Sequence, residues 1–343
     1  MNHLPHGTAS VVVGLLVLGA CTGDGDASRT GETAAPPTTP DLPLAAPTGD
    51  TGTAEDPPPD CCSEPGDYDR TVLIGAVEQA FRIHVPPNLA PGAPLIVQLH
   101  GALGSIEKME AVTGLPALSD DQGFVVVTPQ GSPVPFDATR GIWNASDNLE
   151  IDHVAALLAV VDRTLELVAG TDAQRVFFAG QSNGGMMSYR MACQASDRIA
   201  GVVVNAGFLA DRDLTRDPPT ETFACTSYQP VSILHVHGLQ DPTVPYEGQT
   251  GASARPAIED DNARWRARNG CEEDGSDEEV DGVRRRRWSC AAGTVVELVT
   301  IDDHGHPWPG SPPETVTGDQ GPLTEKVDGT AELWRFVQER ASD

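Results

Sequence analysis

Six short runs of apolar residues punctuate the chain: Leu95–His100, Phe124–Thr128, Arg175–Gly180, Ala200–Asn205, Val231–His237 and Val295–Ile301. Each reads as a strand covered on both faces, because a strand with one wet face would alternate polar and apolar positions. Between them the apolar spacing predicts helices at about Ile151–Val168, Gly184–Cys193, Ile258–Asn269 and Leu323–Arg340. Strands alternating with helices imply an α/β fold with a mostly parallel central sheet and helices on both faces. In the last helix Leu333, Trp334, Phe336 and Val337 fall at helical spacing and should pack on that sheet. We find no internal repeat and no insertion long enough for a lid domain.

The third run ends in Gly180-Gln-Ser182-Asn-Gly184-Gly-Met-Met. A strand, a tight turn and a helix start place Ser182 at the apex, with its hydroxyl exposed above the sheet. A serine hydroxyl is a weak nucleophile at neutral pH and needs a histidine base, an acid to orient the base, and donors for the oxyanion. Acid and base follow the serine in the chain order of the α/β-hydrolase architecture, Ser, Asp, His. Asp241 lies in the turn after the strand Val231–His237. His306 lies in the loop after Val295–Ile301, with His304 as a competing base. His235 and His237, inside a strand, read as buried or near-site histidines. The turn His100-Gly101-Ala102-Leu103-Gly104 after Leu95–His100 offers one oxyanion amide, from Ala102 or Leu103, and Asn183 offers the other.

His100-Gly101, Trp143-Asn144, Gly180–Met187, His237–Tyr246 and His306-Pro-Trp308-Pro-Gly310 together resemble the polyhydroxybutyrate depolymerase and feruloyl esterase family of secreted esterases. The resemblance runs from about residue 70 to the C-terminus, and its His-x-Trp-Pro-Gly motif selects His306 over His304. It implies hydrolysis of carboxylic esters through an acyl-serine intermediate formed on Ser182, with His306 and Asp241. No cofactor or metal is implied. His100, Trp143 and Trp308 are candidate substrate-binding residues, with a core role for the tryptophans as the alternative. Two segments depart from the family pattern: Asp302-Asp303-His304-Gly305 is poor in glycine, and His153 stands where the family often has Asp. The substrate is a small-molecule or oligomeric ester. The rivals are a peptidase of the same fold and a surface-displayed binding protein that lost turnover, the latter expected to lack a triad member.

The chain ends and the charge complete the expectation. Residues 1–20 include the apolar stretch Val11–Ala20, too short to span a bilayer, and end at Leu18-Gly-Ala before Cys21. This reads as a signal peptide of the lipoprotein type, with Cys21 lipidated. The stretch Met1–Gly7 has no Lys or Arg, which leaves an ordinary secretory signal as the alternative. Residues 21–68, rich in Thr, Pro, Gly and Asp, read as a disordered tether. Residues 69–343 form the α/β-hydrolase catalytic domain. The net charge of −28 argues against nucleic acid and anionic lipid surfaces as partners, so membrane association is expected only through the lipid anchor. Arg284–Arg287 follows the acidic run Glu272–Asp281 and reads as a hairpin with mutually neutralising charges. Six cysteines remain besides Cys21, an even number that suggests disulfides in an exported chain. The sequence-local pairs Cys193 with Cys225 and Cys271 with Cys290 also look like those of the resembled family. Cys61 and Cys62 are adjacent, and their connectivity stays open.

Overall fold

The computed structural model describes residue 62 and residues 64–75, 77–225 and 229–340. The signal peptide, Cys21, Cys61 and the tether as far as residue 61 lie outside the described residues. An antiparallel hairpin of β1 (Gly66–Ile74) and β2 (Val77–Val85) opens the fold, so the first strand takes in residues just ahead of the expected start at 69. Then come β3 (Ala93–Leu99), α1 (Ile106–Thr113), α2 (Leu115–Gln122) and β4 (Val125–Pro129). A small hairpin, β5 (Ser132–Val134) and β6 (Asp137–Ile142), leads to α3 (His153–Leu167), β7 (Thr171–Gln181), α4 (Asn183–Gln194) and β8 (Gly201–Asn205). A two-residue ladder of β9 (Arg212–Asp213) and β10 (Thr220–Glu221) precedes β11 (Ser232–Gly238) and α5 (Ile258–Arg268). The chain closes with β12 (Ser276–Val280), β13 (Val283–Ser289), β14 (Val295–Ile301) and α6 (Gly329–Arg340).

The main sheet runs β1-β2-β4-β3-β7-β8-β11-β14-β13-β12. Its middle, from β4 to β14, is parallel, and each edge is an antiparallel hairpin. The six parallel strands are the six apolar runs. β3, β4, β8, β11 and β14 are buried at every position, which is why they lack alternation. Successive side chains go to opposite faces. Leu95, Val97 and Phe178 join Leu157, Met187 and Trp265 of α3, α4 and α5 on one side. Ile96, Val126 and Phe177 join Met109, Leu115 and Phe336 of α1, α2 and α6 on the other.

Some elements differ from expectation. The last helix starts at Gly329, not Leu323, because the Asp328 carboxylate accepts the N–H groups of Thr330 (2.8 Å) and Ala331 (3.0 Å) and caps it there. Trp334 is only partly buried and stacks on Phe124 with ring centres 4.5 Å apart. The arginine run does lie in a hairpin, β12–β13, but most of its partners lie outside that hairpin. Strand alternation turns Arg284 and Arg286 one way and Arg285 and Arg287 the other. Arg284 meets Asp277 of the hairpin at 2.8 Å. Arg286 reaches Glu259 of α5 (3.1 Å), Arg285 reaches Glu332 of α6, and Arg287 binds Glu297 of β14 (2.9 Å) and Glu339 of α6. The run therefore fastens the sheet edge to two helices. Cys193 is bonded to Cys225 and Cys271 to Cys290, and Cys62 is buried.

Candidate active site

The parallel strands deliver the candidate groups to one edge. Ser182 follows β7 with φ +53° and ψ −118°, a conformation that β-carbon sterics disfavour in any L-residue. It persists because strand and helix are pressed together around it. A β-carbon on Gly180 would collide with the backbone of Gly184, and one on Gly184 would collide with the carbonyls of Leu99 and His100. The Ser182 N–H donates to Asn205 O at 2.8 Å, tying the turn to the end of β8.

Asp241 and His306 come together from loops 65 residues apart in sequence. His306 Nδ1 donates to Asp241 Oδ2 at 2.7 Å. The other carboxylate oxygen, Oδ1, accepts the N–H groups of Thr243 (2.7 Å) and Val244 (2.8 Å). Burial alone would raise the pKa of Asp241, but the His306 bond, the Val244 amide and the nearby His237 together hold it below the usual carboxylate range. Asn205 also reaches the base loop, because its side-chain amide donates to Pro307 O (3.1 Å), and Gln181 Nε2 donates to His306 O (3.2 Å). His306 and the residue after it are thus bonded to the neighbour of Ser182 and to the end of β8. Neither Asn205 nor Gln181 was singled out from sequence, and their partners lie about a hundred residues away.

The other described histidines are committed elsewhere. His304 Nε2 donates to Pro307 O (2.9 Å) and its Nδ1 accepts the Thr324 N–H (3.1 Å). His100 Nδ1 donates to Gly101 O (2.8 Å) and its Nε2 accepts the Gly131 N–H (2.9 Å). His153 accepts the Asn144 N–H at Nδ1 (2.8 Å) and donates from Nε2 to Ser132 (3.1 Å). His84 lies between Asp67 (2.7 Å) and Asp120 (3.0 Å). His237 faces a carbonyl, Val244 O at 2.9 Å, so its Nε2 must carry the proton. His235 Nε2 then donates to His237 Nδ1 (3.0 Å), and Tyr189 donates to His235 Nδ1 (2.6 Å). The result is a one-way buried chain ending behind Asp241. Among the described residues, His306 is the histidine with a ring nitrogen left open.

The turn after β3 lies against Ser182, since a β-carbon on Gly101 would fall 3.6 Å from that of Ser182. Leu103, at φ +63°, donates its N–H to Gly141 O (2.8 Å), and Gly141 N returns a bond to Gly104 O (2.8 Å). Leu103 is therefore spoken for, while the Ala102 amide makes no hydrogen bond among the described residues. Asn183 is the first residue of α4, so its N–H is one of the unpaired amides of a helix start. Its side chain is clamped both ways to Trp143, accepting from Trp143 N (2.7 Å) and donating to Trp143 O (3.1 Å).

The three residues expected to bind substrate are buried, which fits the alternative core role of the two tryptophans. His100, Trp143 and Trp308 are each 1% exposed. Trp143 Nε1 donates to His100 O (2.9 Å), beneath the oxyanion turn, and Trp308 Nε1 donates to Thr330 (3.0 Å) in the layer under α6. Among the described residues no group of three or more His, Cys, Asp or Glu side chains is arranged to hold a metal ion.

Comparison with known proteins agrees with this architecture. Residues 91–263 match the family described as Phospholipase/Carboxylesterase. A protein of Nocardia uniformis subsp. tsuyamanensis named as an esterase, NocK, is 31% identical over 264 residues, 70% of this chain and 74% of its own length. Feruloyl esterase B of Neurospora crassa is 31% identical over 41% of this chain and 50% of its own. Acetylxylan esterase A of Emericella nidulans is 27% identical over 59% and 66% respectively. Among solved structures, the acetyl xylan esterase from Aspergillus awamori superposes with a TM-score of 0.55 at 18% identity, covering 71% of this chain and 94% of that one, which is a likeness of fold. With a mostly parallel sheet, a strained serine at the end of β7 and these relatives, the chain belongs to the phospholipase/carboxylesterase family of α/β hydrolases and is an esterase.

Proposed function

We propose that the protein hydrolyses acyl esters through a covalent acyl-Ser182 intermediate. Ser182 Oγ attacks the ester carbonyl, and its proton passes to Nε2 of His306. Asp241 fixes the imidazole in the tautomer protonated at Nδ1 and stabilises the imidazolium. The amides of Ala102 and Asn183 receive the oxyanion, an arrangement in which one donor contributes about 3 kcal/mol to lowering the barrier. His306 then protonates the leaving alcohol, and water repeats the cycle in reverse. One observation carries this reading: His306 alone among the described histidines keeps an open ring nitrogen, with its other nitrogen on a buried carboxylate at 2.7 Å.

For substrate we propose acetyl or feruloyl esters borne by polysaccharide alcohols, supported by the names of the acetylxylan and feruloyl esterases to which the chain is similar. 3-Hydroxybutyrate oligomers are the competing class. Export is supported by two disulfides, which persist in oxidising compartments. Lipid attachment at Cys21 rests on the small residues that precede it.

The test is turnover of p-nitrophenyl acetate, methyl ferulate, acetylated xylan and 3-hydroxybutyrate oligomers by the wild type and Ser182→Ala. We expect hydrolysis of the acetyl and feruloyl members and a loss of at least about 10⁴-fold in the variant. Turnover retained by Ser182→Ala contradicts the nucleophile, and a preference for the hydroxybutyrate oligomers contradicts the substrate class.

A further inference from the structure

With 22 Lys and Arg against 50 Asp and Glu, cations in this chain have carboxylates in excess. Lys326 has Asp302 at 2.9 Å and Asp303 at 3.1 Å, and Arg82 has Asp69 at 2.7 Å and Glu110 at 3.1 Å. Lys108 has none. Its Nζ donates to the Thr317 hydroxyl at 3.4 Å, and the charge that bears on it is a second cation, Arg140. Burial, and then Arg140, push the Lys108 amine below its ordinary value. Arg140 shares one carboxylate, Asp137, at 3.0 Å within its own hairpin.

The position of this pair gives it meaning. Lys108 is in the first turn of α1, its N–H on the cap residue Ser105 (3.3 Å), directly after the oxyanion turn. Arg140 precedes Gly141, the residue that clips Leu103 and Gly104. Thr317 lies on the loop that returns to the base, where Gln320 O accepts the His306 N–H (2.7 Å) and Gln320 Nε2 donates to Thr317 O (2.6 Å). The Lys108 charge is also felt at His100, beneath the oxyanion turn. The start of α1, which follows the oxyanion turn, and the loop that returns to His306 therefore meet at Lys108, an exposed cation. An ammonium without a carboxylate partner keeps its charge available to an incoming anion.

We propose that Lys108, with Arg140 on the hairpin that clips the oxyanion turn, is an anion-recognition subsite on the border of the active site, and that preferred esters carry a carboxylate near the scissile bond. The inference rests on the acyl-Ser182 reading above. A net charge of −28 repels anionic substrates at long range, so a local ammonium is needed to seat one. The anion can sit on the acyl side or on the alcohol side of the ester.

Two matched pairs separate these cases: 4-nitrophenyl hemiglutarate against 4-nitrophenyl pentanoate for the acyl side, and 4-acetoxybenzoate against 4-acetoxybenzamide for the alcohol side. We expect the anionic member of one pair to be favoured by about tenfold in kcat/KM, as one charge-assisted hydrogen bond provides, with the difference residing in KM. Lys108→Gln should remove most of that preference, Lys108→Arg should keep it, and Lys108→Glu should reverse it. Equal handling of both members in both pairs, or a preference untouched by Lys108→Gln, overturns the proposal. If no ester is turned over, the acyl-Ser182 reading fails separately. Calorimetric binding of 4-acetamidobenzoate against 4-acetamidobenzamide to the wild type and Lys108→Gln then decides the subsite, and equal affinities overturn it.

Discussion

At the scale of residues, the histidines decide the account. Ser182, Asp241 and His306 could be read from strand-end positions and chain order, but the choice between His304 and His306 rested on a motif. The hydrogen bonds supply its physical reason: His304 has both nitrogens engaged with Pro307 and Thr324, and His306 has one open. Replacing His306 by Ala should lower kcat/KM by about 10⁴-fold or more while leaving the melting temperature close to that of the wild type. Replacing His304 by Ala should do the opposite, costing about 1–3 kcal/mol of stability for each buried group it strands, with a much smaller loss of turnover. The reverse ranking would mean that the base is misassigned. Asn205 was not legible in the sequence. Its importance lies in a backbone carbonyl that accepts from Ser182 and an amide that holds Pro307, and neither contact leaves a local signature.

At the scale of elements, legibility followed burial. The parallel strands were visible because both faces are covered, so each is an uninterrupted apolar run. The edge strand β1 alternates half-buried and exposed positions, and α1 and α2 are eight residues each, ended by Gly114 and Gly123. Elements this short or this polar give too few periodic positions to stand out. The elbow between β7 and α4 offers a test with an informative sign. Alanine at a helix position normally stabilises by about 1 kcal/mol relative to glycine. Gly184→Ala should instead destabilise and reduce activity, since its β-carbon meets the Leu99 and His100 carbonyls. A variant of unchanged or higher melting temperature would show that strand and helix are not in contact there.

At the scale of the whole molecule, the buried histidines couple stability to pH. Burial pushes His100, His153 and His237 down to about 4, and lowers His235 and His304 as well. In the unfolded chain each titrates near 6.5. Between about pH 6.5 and 4 the unfolded state therefore binds protons that the folded state refuses, and stability falls as pH falls, by up to about 1.4 kcal/mol per pH unit for each histidine. Asp261 works against this trend, since burial raises it to about 7 and its folded form keeps a proton that the unfolded chain releases. Burial raises Glu110 as well, but two carboxyls do not cancel five imidazoles, so the urea midpoint should drop between pH 7 and pH 4.5. A flat or rising profile would contradict neutral buried histidines. The central claim, that Ser182 is the nucleophile activated by His306, is tested most directly by reaction with a fluorophosphonate followed by peptide mapping. The account predicts one phosphonylated residue, Ser182, absent in Ser182→Ala and formed far more slowly in His306→Ala. Modification at another serine, or labelling at the wild-type rate in His306→Ala, would contradict it.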